Sequence, residues 1–220
     1  MKNKTQSYYS NIRSEMVEFI KSAPSKILEI GCGDGGFRSN FSNEIEYWGV
    51  EPCEKAAHKA SFILSKTLHG TYDKTESQIP DKYFDLIVCN DVIEHMTDYE
   101  LFLQSVQSKL TPNGTMIVSI PNIRNATTLY NLIIKGAFDY VEAGVLDYTH
   151  YHLFTQKSFI GVATKCGWNV EICKPLPPTP YKPFKNIILN FLRLFIPEIK
   201  SNQIGARLCL KSNLSNDIDE

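Results

Sequence analysis

The segment KILEIGCGDGG, residues 26–36, constrains the fold more than any other stretch. An apolar, strand-like run breaks off into glycines at Gly31, Gly33, Gly35 and Gly36. Glycine lets the backbone turn sharply and lets a ligand approach the main chain. A strand that enters such a loop and leaves it as a helix is the opening unit of an α/β sheet. Gly31, Gly33 and Gly36 fit G-x-G-x-x-G, the spacing of a dinucleotide loop. Glu29, Gly31, Gly33 and Gly35 fit E-x-G-x-G-x-G instead, which suits a different adenosine cofactor. The glycines alone do not separate the two.

The rest of the chain alternates in the same way. Ile12, Met16, Phe19 and Ile20 predict a helix over 10–22. Strands are predicted at 26–30, 46–50, 66–72, 83–89 and 115–120, with helices at 35–44, 53–64 and 98–110 between them. Thr97 and Glu100 have the spacing of a capping box for the last of these helices. Residues 122–150 read as irregular or weakly helical, Thr155 as the cap of a helix ending near Cys166, and 168–174 and 204–210 as two late strands. The pattern predicts an α/β, Rossmann-like, doubly wound and mostly parallel sheet of about seven strands. Helices cover both faces, and the last strand is antiparallel.

A length of 220 residues favours one domain, and 43% apolar with 21% charged residues is ordinary globular usage. We expect a single domain over 1–211, with 121–152 inserted as a substrate cover. A proline-rich lead-in and an amphipathic helix (175–203) separate the last two strands, and 212–220 form a disordered tail. Six scattered cysteines without a C-x-x-C pair read as buried free thiols.

Ligands in such sheets bind beyond the carboxyl ends of the strands. Glu51 ends the second strand, twenty residues after Gly31, where a carboxylate accepts both ribose hydroxyls of an adenosine. That fits either cofactor. Glu29 discriminates, because a carboxylate in the first strand opposes a pyrophosphate and favours a cationic ligand. S-adenosylmethionine carries an ammonium and a sulfonium and no phosphate. The competing reading pairs Glu29 with Lys26 or another internal base.

Four blocks, LEIGCGDG, GVEP, FDLIVCNDVIEHM and LTPNGTMIVSIPN, occur in this order over about residues 8–174. Together they resemble a class I S-adenosylmethionine-dependent methyltransferase. GVLDYTHYHLFTQKSFIGVATKCGW is also similar to a bacterial subgroup often linked to polysaccharide or other small-molecule biosynthesis. The resemblance implies that Glu29, Gly31, Gly33 and Gly35 line the methionyl end of the cofactor and that Glu51 holds the ribose, with Pro52 against the adenine. It implies that Asn90, Asp91 and Val92 pass beneath the cofactor near the sulfonium. Where many relatives place an acid for the adenine amino group, this chain has Thr71 and Tyr72, with Asp73 just beyond. It also implies an N-terminal segment over the cofactor, here containing Tyr8, Tyr9 and Arg13. Arg13 is then a candidate for the methionyl carboxylate or an acidic substrate, or else part of a solvated face.

Methyl transfer is an in-line displacement for which the protein supplies alignment and excludes water. A hydroxyl acceptor benefits from a general base, and His150, His152 and His95 fall on the ligand side. His95 has a competing reading as a local helix-start contact. His58 and His69 read as surface residues away from this face. No metal-ligand cluster is evident in the spacing, so no metal is expected.

Residues 184–196 have a wide apolar face, read as packing on the domain, as a dimer face or lid, or as a peripheral membrane contact. A net charge of −1 gives no basic field for nucleic acid. Without a signal-peptide core or a membrane-length apolar run, the expected location is cytoplasmic. The expected function is S-adenosylmethionine-dependent methyl transfer to a small-molecule acceptor, O-methylation of a sugar or related metabolite. The alternatives are small-molecule N-methylation and an NAD-dependent oxidoreductase using the G-x-G-x-x-G loop.

Overall fold

A computed structural model describes residues 12–178, 180 and 182–211. Its seven strands are β1 (Lys26–Ile30), β2 (Glu46–Glu51), β3 (Lys66–His69), β4 (Phe84–Asn90), β5 (Leu110–Pro121), β6 (Trp168–Pro175) and β7 (Gln203–Leu210). They form one sheet in the order β3-β2-β1-β4-β5-β7-β6. The pairs from β3 through β5 are parallel, and β7 runs antiparallel to both β5 and β6. The predicted doubly wound sheet with an antiparallel last strand is the observed one.

Successive side chains of a strand point to opposite faces, and a parallel sheet buries both. Leu28 and Ile30 of β1 therefore join one core cluster with Ile87, Val118 and Trp168. Ile27 joins the other with Tyr47, Val88 and Ile117. Helix α1 (Glu54–Ala60) adds Ala60 to the second cluster. Short α2 (Tyr72–Thr75) and α3 (Tyr99–Ser105) add Tyr72 and Phe102 to the first.

Several local predictions shift. The third strand stops at His69, and Tyr72 turns into the core, its ring 5.0 Å from that of Phe102. Thr97 and Glu100 do not form a capping box: α3 starts after Asp98 without a side-chain cap, and Glu100 accepts from Lys165 Nζ at 2.9 Å. Residues 122–150 contain a regular helix, α4 (Ala126–Ile134), capped by Asn125. Thr155 caps α5 (Gln156–Lys165) as predicted, with Ser158 completing a capping box. The N-terminal helix is a 3-10 segment, Ser14–Phe19. Tyr8, Tyr9 and the tail 212–220 lie outside the described residues.

The amphipathic segment is α6 (Pro183–Leu192). It buries Leu189 but exposes Ile187, Ile188 and Phe191, and beyond it Leu194 and Phe195. Among the described residues no helix is long and apolar enough to cross a membrane.

Asn125 accepts from the amides of Thr127 and Thr128, both at 3.0 Å. Loss of an N-cap side chain typically costs about 1–2 kcal/mol. Asn125→Ala is expected to lower the stability by that amount in urea unfolding and to leave the sheet intact by circular dichroism.

Candidate active site

The strand order reverses between β1 and β4, and that is where an open α/β sheet forms its ligand crevice. The glycine loop follows β1 there. Gly31 has φ 74°, and a Cβ on it would lie 2.5 Å from Val92 Cγ2 in the loop after β4. Only glycine allows that backbone and that approach. Gly33 and Gly35 also have positive φ, 56° and 89°.

Glu51 ties this loop to β2. Its carboxylate accepts from Gly33 N at 2.9 Å and from Cys53 N at 2.8 Å. Burial pushes its pKa up, and the two amides oppose the rise. Each oxygen keeps a further lone pair for another donor. Pro52 is exposed beside it. His69 lies opposite Glu51 in the register, at the ligand edge rather than away from it. The strand had been extended past His69 to residue 72, which hid this position.

Glu29 is buried and accepts from the Tyr47 hydroxyl at 2.8 Å. Lys26 is not its partner; that ammonium lies over the Tyr83 ring, 3.7 Å from the centroid. Burial pushes the Glu29 carboxyl up to about 8, the Tyr47 bond opposes this, and Glu51 adds to it. Asn90 ends β4 with its side-chain oxygen and nitrogen shielded and without a hydrogen-bond partner among the described residues.

Asp91 follows in the left-handed region, φ 56°. Its carboxylate takes the Arg13 guanidinium, Gln203 Nε2 at 2.8 Å and Ser119 Oγ at 3.1 Å. Arg13 also donates to Gln203 Oε1 at 2.9 Å and to Glu15 at 2.6 Å. Arg13 is 6% exposed, so it is not part of a solvated face. Burial opposes its charge, but Asp91 and Glu15 outweigh that and push its pKa up.

A cavity of about 520 Å³ opens beyond Asp91, lined among others by Glu94, His95, Asp147, His150 and Gln203. Of the expected cofactor residues only Asp91 lines it. His95 and His150 are brought together with ring centroids 4.7 Å apart. His95 Nδ1 lies 2.9 Å from the Thr149 carbonyl, and His150 Nδ1 lies 2.9 Å from the Val145 carbonyl. His152 does not line the cavity: its Nε2 meets the Thr97 carbonyl at 3.3 Å and its ring packs on Tyr99. The chain from 145 to 152 is fastened to β4 by the Glu94 carbonyl, which accepts from Tyr151 N at 2.8 Å and His152 N at 3.2 Å. Glu94 was missed as a site residue. Its position within IEH, next to His95, was the signal in the sequence.

The sequence profile of the family described as methyltransferase domain matches residues 1–171. This chain belongs to that family. Its cofactor is S-adenosylmethionine, and the NAD-dependent alternative falls. A ubiquinone biosynthesis O-methyltransferase of Rickettsia prowazekii is 26% identical over 221 residues, covering 94% of this chain and 81% of that protein. Its namesake in Aeromonas salmonicida is 27% identical over 78% of this chain and 76% of its own length. For two further Rickettsia relatives the match spans only 65% and 66% of the relative's length. A SAM-dependent methyltransferase from Archaeoglobus fulgidus has the same fold, with TM-score 0.61 and 18% identity over 87% of this chain and 88% of that one. So does a Burkholderia thailandensis 1,6-didemethyltoxoflavin-N1-methyltransferase with bound S-adenosylhomocysteine, with TM-score 0.62 and 11% identity over 93% and 80%.

The residues at the switch point fit this cofactor. Gly31 brings the loop backbone against Val92 with no room for a Cβ, Asn90 offers an unmatched amide, and Glu29 offers a carboxyl that a nearby cation would ionise.

Between the ordinary value of 4.5 and about 8, folded Glu29 holds a proton that the unfolded chain releases. Its contribution to stability is therefore fully present below 4.5 and declines as pH rises to about 8. Glu29→Gln is expected to flatten this part of the stability profile, measured by urea unfolding across that range.

Proposed function

We propose that this chain transfers the methyl group of S-adenosylmethionine to a hydroxyl of a small molecule, a sugar or related metabolite. The observation that carries this reading is the cavity beyond Asp91, which two imidazoles, His95 and His150, line together. Both Nδ1 atoms face carbonyls, so in the neutral rings the lone pairs sit on Nε2. The O-methyltransferase names of the sequence relatives support a hydroxyl acceptor.

In this proposal Glu29, Gly31, Gly33, Gly35 and Asn90 surround the methionyl end, while Glu51 and Pro52 take the ribose and adenine. Bound there, the cofactor supplies an activated methyl on a cationic sulfur. Val92 sets the floor against Gly31. Arg13 acts by clamping Asp91 and the N-terminal segment over the crevice. His150 and His95 are the candidates to receive the hydroxyl proton, and His152 positions the cover through Tyr99.

The domain proposed is 1–211, with 121–152 covering the acceptor, and its proposed setting is the cytoplasm, in polysaccharide or similar biosynthesis. The exposed apolar side chains of α6 are the proposed contact with a membrane surface or a second copy. Flotation with anionic vesicles and light scattering separate those two, and a protein that does neither overturns that contact.

Turnover to S-adenosylhomocysteine tests the reaction, with matched hydroxyl and amine acceptors. Methylation of amines alone would overturn the hydroxyl assignment. Glu51→Ala removes the proposed ribose acceptor and is expected to weaken cofactor binding by about 1–3 kcal/mol, roughly 5- to 150-fold, in calorimetry. Unchanged affinity removes Glu51 from the cofactor site.

A further inference from the structure

No single stretch of the sequence has metal-ligand spacing, but the fold assembles a set of donors. Glu94 and His95 sit on the 3-10 turn after β4, and His150 comes from the cover fifty-five residues later. One ligand atom from each of the three lies within 4.8 Å of the others. We propose that Glu94, His95 and His150 bind a divalent transition-metal cation at the wall of the acceptor cavity. This deepens the hydroxyl-methylation reading and rests on it for the acceptor.

Three observations support the site. First, each imidazole directs Nδ1 at a backbone carbonyl, Thr149 for His95 and Val145 for His150. A carbonyl only accepts, so it fixes the proton on Nδ1 and the lone pair on Nε2. Metal-bound imidazoles are commonly oriented in this way.

Second, His150 Nε2 lies 3.9 Å from Glu94 Oε1. That is too long for a hydrogen bond. Donors about 2.0–2.2 Å from one ion are separated by roughly 3–4.3 Å, so this pair already spans an ion. Closing the whole set takes roughly half an ångström.

Third, the cavity is built for positive charge. Glu15, Asp91, Glu94 and Asp147 line it, and no lysine or arginine does among the described residues. Arg13 answers Asp91 and Glu15 from behind them.

Two imidazoles and one carboxylate suit Mn²⁺, Fe²⁺, Co²⁺ or Zn²⁺ better than Ca²⁺. Three protein ligands leave open positions facing the cavity. The acceptor class that uses them carries two neighbouring oxygens, such as a vicinal diol or catechol. With the cation in place the imidazoles are its ligands and no longer take the proton. The metal would acidify the bound hydroxyl, whose proton leaves to solvent through the open cavity before the oxygen accepts the methyl.

The test uses the whole chain, stripped with a chelator and titrated separately with Mn²⁺ and Zn²⁺ by calorimetry, with Mn²⁺ also followed by electron paramagnetic resonance. One site per chain is expected. Glu94→Gln and His150→Gln should weaken it about tenfold or more, while His58→Gln, outside the cluster, leaves it unchanged. No stoichiometric site in the wild-type protein overturns the proposal, whatever the variants do. So does equal affinity in folded Glu94→Gln and His150→Gln. Hydroxyl methylation that survives full metal removal overturns the acceptor-holding role and leaves the methyl-transfer reading standing. Absence of any hydroxyl methylation, with or without metal, counts against that reading instead.

Discussion

The Asp91 carboxylate is the interaction on which the ligand edge of this molecule depends. It sits where β4 ends, in a backbone conformation that L-residues rarely adopt. It holds the N-terminal segment through Arg13, β5 through Ser119 and β7 through Gln203. Four distant parts of the chain therefore meet at one partly buried ion pair. Such a pair is weak support for stability in itself, because desolvation offsets much of the attraction. Its value lies in register, since it fixes the N-terminal segment against the strands that carry the site.

From Asp91 the site divides along the topological switch. To one side, β1 and β2 present the glycine loop, and Glu51 draws that loop down through Gly33. To the other, the Glu94 carbonyl fastens residues 151 and 152 and the His95 ring meets the Thr149 carbonyl, and together they bring His150 beside His95. The segment from 122 to 152 is anchored at its other end as well. Asn122 donates to the carbonyls of Glu198 and Ser201 at 2.9 and 2.8 Å, and Arg124 pairs with Glu198 at 2.8 Å.

The sheet was legible in the sequence because each central strand is a mostly apolar run with clear breakers at its ends. The glycine loop after β1 was legible for the same reason, since glycine pattern and strand end are both local features. What was not legible depends on distance along the chain. The Glu94–His95–His150 cluster joins residues fifty-five apart. Arg13 read either as a ligand contact or as part of a solvated face because its partner, Asp91, is seventy-eight residues away. Local errors had local causes. Glu100 pairs with Lys165 instead of capping, and α4 read only as weakly helical because its start rests on one asparagine in a segment rich in exposed apolar side chains.

The glycine spacing at 31–36 admitted two cofactors, and electrostatics explains why the fold suits one. Glu29, Glu51 and Asp91 all lie around the switch point, and two unit charges 4 Å apart interact by about 4 kcal/mol at an effective dielectric of 20. Asp91 is already answered by Arg13, so the difference falls on Glu29 and Glu51: a pyrophosphate opposes ionisation of their carboxyls, whereas a sulfonium and an ammonium favour it. Glu29 sharpens the preference because burial keeps its carboxyl protonated up to about 8. In that neutral form it costs the fold little, and an arriving cation draws out its charge. In the proposed reading the discriminating residue is therefore the one inside the strand, Glu29, and not the glycines.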